Sequence, residues 1–152
     1  MTVDAQLIEH MMNPKNYGTL EDKNSEGIGK NPNNGEKVII YLKVVEDGGE
    51  DVIDDIAFQA IGCSTTIVAG SMITEEARGL SFLGAVNLIG ATMKILDKVP
   101  PEDAACSEMV ALALKASLET YIKRKTDKDY PMITHKISND CVVKDEEELI
   151  NE

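Results

Sequence analysis

The spacing of apolar residues changes character twice along the chain. Between Asp4 and Met12, the residues Ala5, Leu7, Ile8, Met11 and Met12 can share one side of a helix. Asn13-Pro14 ends that helix, because a residue before proline is pushed out of the helical region. A polar stretch to Glu36 follows, carrying Gly27, Gly29, Pro32, Asn33, Asn34 and Gly35. It reads as loop with one short strand near Gly27 to Lys30. From Lys37 to Val45 the run KVIIYLKVV is dense in β-branched residues and predicts a strand. Gly48-Gly49 supplies a hairpin turn, and Val52 to Ile61 returns antiparallel to the first strand.

After Ser64 the period becomes helical. One helix is predicted from about Thr65 to Arg78, with Gly79 as its stop, and a second from about Phe82 to Met93, weakened by Gly84 and Gly90. Pro100-Pro101 breaks the chain, and Asp103 is the expected N-cap of a third helix reaching Lys125. Met109, Leu112, Ala113, Ala116 and Tyr121 mark its apolar side, and Lys123, Arg124 and Lys125 suit its C-terminal dipole. Beyond Lys125, the segment MITHKIS within Pro131 to Val143 reads as a short strand before an acidic end, Asp145 to Glu148, whose plain reading is a solvated terminus. Strands first and helices afterwards predict an α+β domain: a small antiparallel sheet of about three strands with helices packed on one face.

Composition narrows the function classes. With 152 residues and 43% hydrophobic content the chain can bury one core, and with two Phe, four Tyr and no Trp that core must be aliphatic. A formal charge of -12 repels phosphate backbones and argues against a nucleic-acid partner. No apolar run approaches the roughly 20 residues that span a bilayer, and Asp4 and Glu9 are unlike a signal peptide, so no membrane role and a cytoplasmic location are expected. The three cysteines, Cys63, Cys106 and Cys141, form no CxxC pair and, in a reducing compartment, no disulfide framework.

Any metal chemistry must therefore draw on residues far apart in sequence. Cys63, after Gly62, lies where a strand hands over to a helix; a thiol facing free helix N–H groups is biased toward the thiolate, the form that ligates metals and accepts sulfur. Cys106 is expected in the first turn of the third helix, although Glu102, Asp103 and Glu108 oppose its ionisation. Taken alone, each reads equally well as a small buried apolar residue. Together they suggest two helix starts converging on one end of the sheet. Glu36, entering a strand after Asn34 and Gly35, is either a metal-binding carboxylate or a hairpin-end surface charge. Cys141 and the nearby His135 are further candidate ligands, whose plainer readings are an incidental thiol and a surface histidine; His10 reads as a structural hydrogen-bonder. No serine–histidine–acid set, phosphate loop or carboxylate pair is present, so no enzyme activity is expected.

Four blocks in order resemble the IscU/NifU N-terminal scaffold family, over about Ala5 to Lys125. LIEHMMNPKNYGTL is similar to the family's opening helix and its Asn-Pro-x-Asn-x-Gly segment. PNNGE, Pro32 to Glu36, lies where the family has Pro-x-Cys-Gly-Asp. IGCSTTIVAGSMITEEARG, Ile61 to Gly79, resembles the second ligand cysteine and its helix, and VPPEDAACSEMVALALKASL, Val99 to Leu118, resembles the Pro-Pro segment leading to the His-Cys pair. The resemblance divides the chain into a scaffold domain, 1–125, and a C-terminal extension with an acidic tail, 126–152.

What the resemblance implies is a protein that builds a 2Fe–2S cluster from iron and from sulfur delivered by a cysteine desulfurase, then passes it to recipient apo-proteins. Cys63 and Cys106 match two of the family's three cysteines. Asn34 occupies the place of the first, Glu36 stands for the Asp, and Ala105 stands where the His would precede Cys106. Glu102-Asp103 replaces the family's Val-Lys after the proline pair, so hand-off by the family's Hsp70-type chaperone is not expected. Two thiolates with Glu36, and only a neutral oxygen from Asn34, fall short of the four ligands a cluster usually takes. Two completions are open: Cys141 or His135 folding back, or a homodimer pooling Cys63 and Cys106 from two chains. Alternatives to the cluster scaffold are an interaction or regulatory protein that keeps the fold without assembly, and a zinc-binding sulfur acceptor.

Overall fold

The structure, a computed structural model, describes residues 9, 12–32, 35–61, 64–96 and 101–137. Its strands are β1 (Ser25–Lys30), β2 (Lys37–Asp47), β3 (Glu50–Ile61) and β4 (Ile133–Lys136); its helices are α1 (Ser64–Ala77), α2 (Phe82–Leu96) and α3 (Pro101–Arg124). The predicted opening helix falls largely outside the described residues; Glu9 and Met12 are helical, and Asn13 donates its N–H to the Glu9 carbonyl at 2.8 Å.

Strict alternation makes β2 the centre of the sheet. Val38, Ile40, Leu42 and Val44 turn inward and are buried, while Lys37, Ile39, Tyr41 and Lys43 turn outward. β3 pairs with it antiparallel, setting Ala60, Phe58 and Ile56 opposite Val38, Ile40 and Leu42. The hairpin between them turns on Gly48 and Gly49, both at positive φ (62° and 89°), the backbone that a two-residue turn of the required twist needs. A bulge between Lys43 and Val44 leaves Asp54 without an opposite residue, which resets the alternation so that Ile53 also faces the core.

The sheet has four strands rather than three, in the order β3-β2-β1-β4. β4 is the strand expected within MITHKIS, and it lies parallel to β1, so the sheet is mixed rather than purely antiparallel. β1 is longer than expected because Gly27 and Gly29 are packing residues. A Cβ on Gly27 would lie 2.2 Å from the Ser117 nitrogen, and one on Gly29 would lie 2.0 Å from the Met109 carbonyl oxygen. The backbone of α3 therefore rests directly on β1. α1 packs on β3 and α2 on α3, all on one face of the sheet, as the sequence pattern predicts. α3 is the buried helix: Met109, Val110, Ala113, Leu114 and Ala116 have no exposed surface.

α3 begins at Pro101, not beside an Asp103 cap. Proline suits the first helical position, where its missing N–H would be unsatisfied in any case. α1 ends at Ala77, just short of the predicted stop, Gly79, which has φ of 87°.

The Asn-Pro-x-Asn-x-Gly segment is fastened to β3. The Phe58 N–H donates to the Asn16 carbonyl at 2.9 Å and the Gly18 N–H donates to the Phe58 carbonyl at 2.8 Å, while the Tyr17 ring stands edge-on to Phe58 at 5.2 Å. Asn16 adopts φ of 64°, donates from Nδ2 to Thr74 Oγ1 at 3.1 Å and accepts from Arg78, which also pairs with Asp55 at 2.6 Å. Asparagine is a favoured non-glycine residue in this left-handed region. We expect Asn16→Ala to lower stability by about 3 kcal/mol, from backbone strain plus two lost side-chain hydrogen bonds, and Asn16→Gly by about 2 kcal/mol, from the two hydrogen bonds alone. Urea midpoints of the two variants check this, and equal losses would remove backbone strain from the account.

Candidate functional site

The register of the sheet decides where the candidate residues meet. The last pairs of three ladders, Lys30 with Lys37, Lys37 with Ile61 and Lys30 with Lys136, form one row across the end of the sheet. From that end leave the β1–β2 loop that holds Asn34 and Glu36, the β3–α1 junction that holds Cys63, and the chain beyond β4 that holds Cys141. The Asn31 N–H donates to the Glu36 carbonyl at 2.8 Å, and the Gly35 N–H donates to the Asn31 carbonyl at 3.0 Å. These bonds close the β1–β2 loop on itself, with Gly35 at φ of 78° and Asn31 buried.

α3 reaches the same end. Ser117 lies against Gly27 while Met109 and Ala113 lie against Gly29, so α3 runs antiparallel to β1 and its N-terminus overlies the exit of β1. Cys106 is one turn before Met109 on the same side of the helix and only 7% exposed. It is the sixth residue of α3, one turn deeper than the sequence pattern implies. Its own N–H falls past the free donors of the first turn, which weakens the direct pull of the helix start on its thiolate. Ala105 and Glu108 beside it are buried too.

Asn34, Cys63 and Cys141 lie outside the described residues. Of the expected site residues, the structure thus places Cys106 and the half-buried Glu36 at one end of the molecule, with described neighbours of the other three converging there. His135 faces elsewhere: its Nε2 is 2.6 Å from Glu119 Oε1, and Glu119 is roughly 20 Å along α3 from Cys106 at helical rise. Among the described residues no group of three or more His, Cys, Asp or Glu side chains is placed to hold a metal ion. No described helix is long and apolar enough to cross a membrane.

Sequence reasoning missed two features of this end. One is Asn31, whose backbone closes the loop; the adjoining Pro32 was the available signal. The other is the cross-strand lysine row, which needs the β1–β4 register to be seen.

A four-stranded mixed sheet of this order, covered on one face by three helices, with the buried Cys106 near one end, is a one-faced α+β sandwich. The chain belongs to the family of the NifU-like N-terminal domain, which matches residues 3–128. It is 33% identical over 126 residues to the iron–sulfur cluster assembly scaffold protein IscU 1 of Archaeoglobus fulgidus, covering 81% of this chain and 80% of that one. It is 30% identical over 123 residues to the scaffold protein IscU of Aquifex aeolicus, covering 80% and 77% of the two chains. The crystal structure of a nitrogen-fixing NifU-like protein (N-terminal) from Brucella abortus superposes with a TM-score of 0.63 at 13% identity, covering 78% of this chain and 93% of that one, and shows the same fold.

Proposed function

We propose that this chain is an iron–sulfur cluster assembly scaffold or carrier, and that its cargo, a 2Fe–2S cluster, is held by the thiolates of Cys63 and Cys106. The observation that carries the reading is the convergence at one end of the sheet: β2–β3 register and the seating of α3 on Gly27 and Gly29 direct three separated motif blocks to the same place. Membership of the NifU-like family and relatives that are themselves cluster assembly scaffolds support it. By the same reading sulfur comes from a cysteine desulfurase, the cluster goes to recipient apo-proteins in the cytoplasm, and the protein works by ordered binding rather than by turnover.

Two thiolates do not complete a cluster's shell. Parallel pairing of β4 with β1 supports Cys141 as a third ligand, because Ile137 donates its N–H to the Lys30 carbonyl at 3.0 Å and the chain leaves β4 at the ligand end. His135, engaged by Glu119, is the weaker candidate. Glu36 and Asn34, in the loop closed by Asn31, are the remaining oxygen donors for the fourth position.

The test is iron, zinc and acid-labile sulfide per chain, with a visible spectrum, on protein purified without oxygen and reconstituted with ferrous iron, cysteine, a cysteine desulfurase and a dithiol reductant that takes the persulfide sulfur to sulfide. Equal iron and sulfide on a monomer, with sulfur-to-iron charge-transfer bands, is the expected result. The same cargo found only on a dimer would replace Cys141 by pooled Cys63 and Cys106. Zinc without sulfide would make the protein a zinc-binding sulfur acceptor, and no metal at all would leave an interaction protein that keeps the fold alone.

A further inference from the structure

The outward face of the sheet carries a charge pattern at odds with the rest of the molecule. Lys136, Lys30 and Lys37 are cross-strand neighbours on β4, β1 and β2. All three point away from the helices: Gly29 faces α3, His135 meets Glu119 on α3, and Val38 is in the core. None of the three is in an ion pair among the described residues, whereas Lys15, Lys125, Arg78 and Arg124 all are. The nearest carboxylates by register and sequence are Glu26, paired with Arg124 at 3.5 Å, and Glu36, which precedes Lys37. Like charges opposite one another in a sheet repel, so a row of three lysines in a chain of net charge -12 is a surface that favours an anionic occupant. The row ends in Ile61, 59% exposed, beside a groove of about 170 Å³ lined by Tyr17, Lys37, Ile39, Gln59, Ala60 and Ile61.

The chain itself holds a segment of matching chemistry. Residues 138–152 contain six of the 27 acidic side chains and one of the 15 basic ones, and Asp145-Glu146-Glu147-Glu148 is followed directly by Leu149-Ile150. The described structure stops at Ile137, bonded to Lys30 within the row. The eight residues from Ile137 to Asp145 extend up to about 26 Å. The row from β4 to β2 spans only about 10 Å. A tether this short gives the segment an effective concentration on the order of millimolar at the row, enough for weak ion pairs to hold it.

We propose that Asp145–Glu148 docks on the Lys136–Lys30–Lys37 row of its own chain, with Leu149 and Ile150 against the groove beside Ile39 and Ile61. The inference does not depend on cluster binding.

Zero-length carbodiimide coupling of the full chain at low salt, followed by peptide mapping, tests it. Lys125 Nζ lies 2.6 Å from Asp51 Oδ2 and supplies an internal control link. Links joining Asp145–Glu148 to Lys30, Lys37 or Lys136 within the monomer are expected. They should fall by about fivefold at 1 M salt, where screening shortens to about 3 Å. A Lys125–Asp51 link without any tail-to-row link would overturn the proposal. So would tail-to-row links found only between differently isotope-labelled copies, which would make a second molecule the occupant.

Discussion

In Cys106→Ser and in Cys63→Ser, iron and acid-labile sulfide should fall to background, a loss of at least about tenfold at fixed protein concentration. A serine hydroxyl stays protonated at neutral pH and is a hard donor, whereas cluster irons take soft thiolates. Cys106 makes the sharper case because it lies among the described residues. It is held on the sheet side of a helix with no freedom to slide, since the Met109 carbonyl one turn later abuts Gly29. If Cys106 holds the cargo, a shift of the backbone cannot make up for its loss. The thiol is also buried, so serine will lower stability by about 1 kcal/mol for its extra polarity. A urea midpoint measured beside the metal content separates the two effects. A small drop in midpoint with complete loss of iron and sulfide marks Cys106 as a ligand; unchanged metal content would remove it from the site. Cys141→Ser should also lose cargo, and His135→Gln, which removes the imidazole that meets Glu119, should retain it.

How much of this was legible in the sequence differs element by element. β2 and β3 were readable because their apolar alternation and the Gly48-Gly49 turn are local signals. The three helices were readable from their period and from Gly79, with the start of α3 displaced because Pro101 opens the helix where a break was expected. β1 was harder. Its inward residues are Ser25, Gly27 and Gly29, which give no apolar alternation, and the reason is tertiary: α3 lies too close for a side chain at Gly27 and Gly29, and Ser25 Oγ donates to the Ser117 carbonyl. Nor does local pattern reveal that β4 pairs in parallel with β1, a pairing between residues about a hundred positions apart. That pairing changes the functional picture most. It makes residues 133–136 the sheet's edge strand, directs the chain toward Cys141 to the end from which the β1–β2 loop leaves, and builds the lysine row. The position of Cys106 in the candidate site was legible through the family resemblance, but its burial and depth within α3 were not, since both follow from packing.

Gly29→Ala should destabilise the fold by about 3 kcal/mol, at the upper end of what overpacking a core costs. The added methyl would meet the Met109 carbonyl oxygen at 2.0 Å, and behind it the Ala113 nitrogen at 2.9 Å. Both are backbone atoms of the buried central helix, so no rotamer change relieves the overlap. Either α3 lifts from β1 or β1 moves from β2, and each loses burial along its length. By contrast, Gly90→Ala in α2 meets nothing within 4 Å and should stabilise slightly, by about 0.5–1 kcal/mol, because alanine is the better helix former. Urea midpoints of the pair test the packing argument with one chemical change made in two places. A loss below about 1 kcal/mol at Gly29 would mean that α3 is not seated on β1 as described. The variant bears on the site as well. Cys106 precedes Met109 by one turn, so a lifted α3 carries the thiol away from the loop closed by Asn31 and Glu36. Gly29→Ala molecules that remain folded should therefore hold less iron and sulfide than wild type, with every candidate ligand intact.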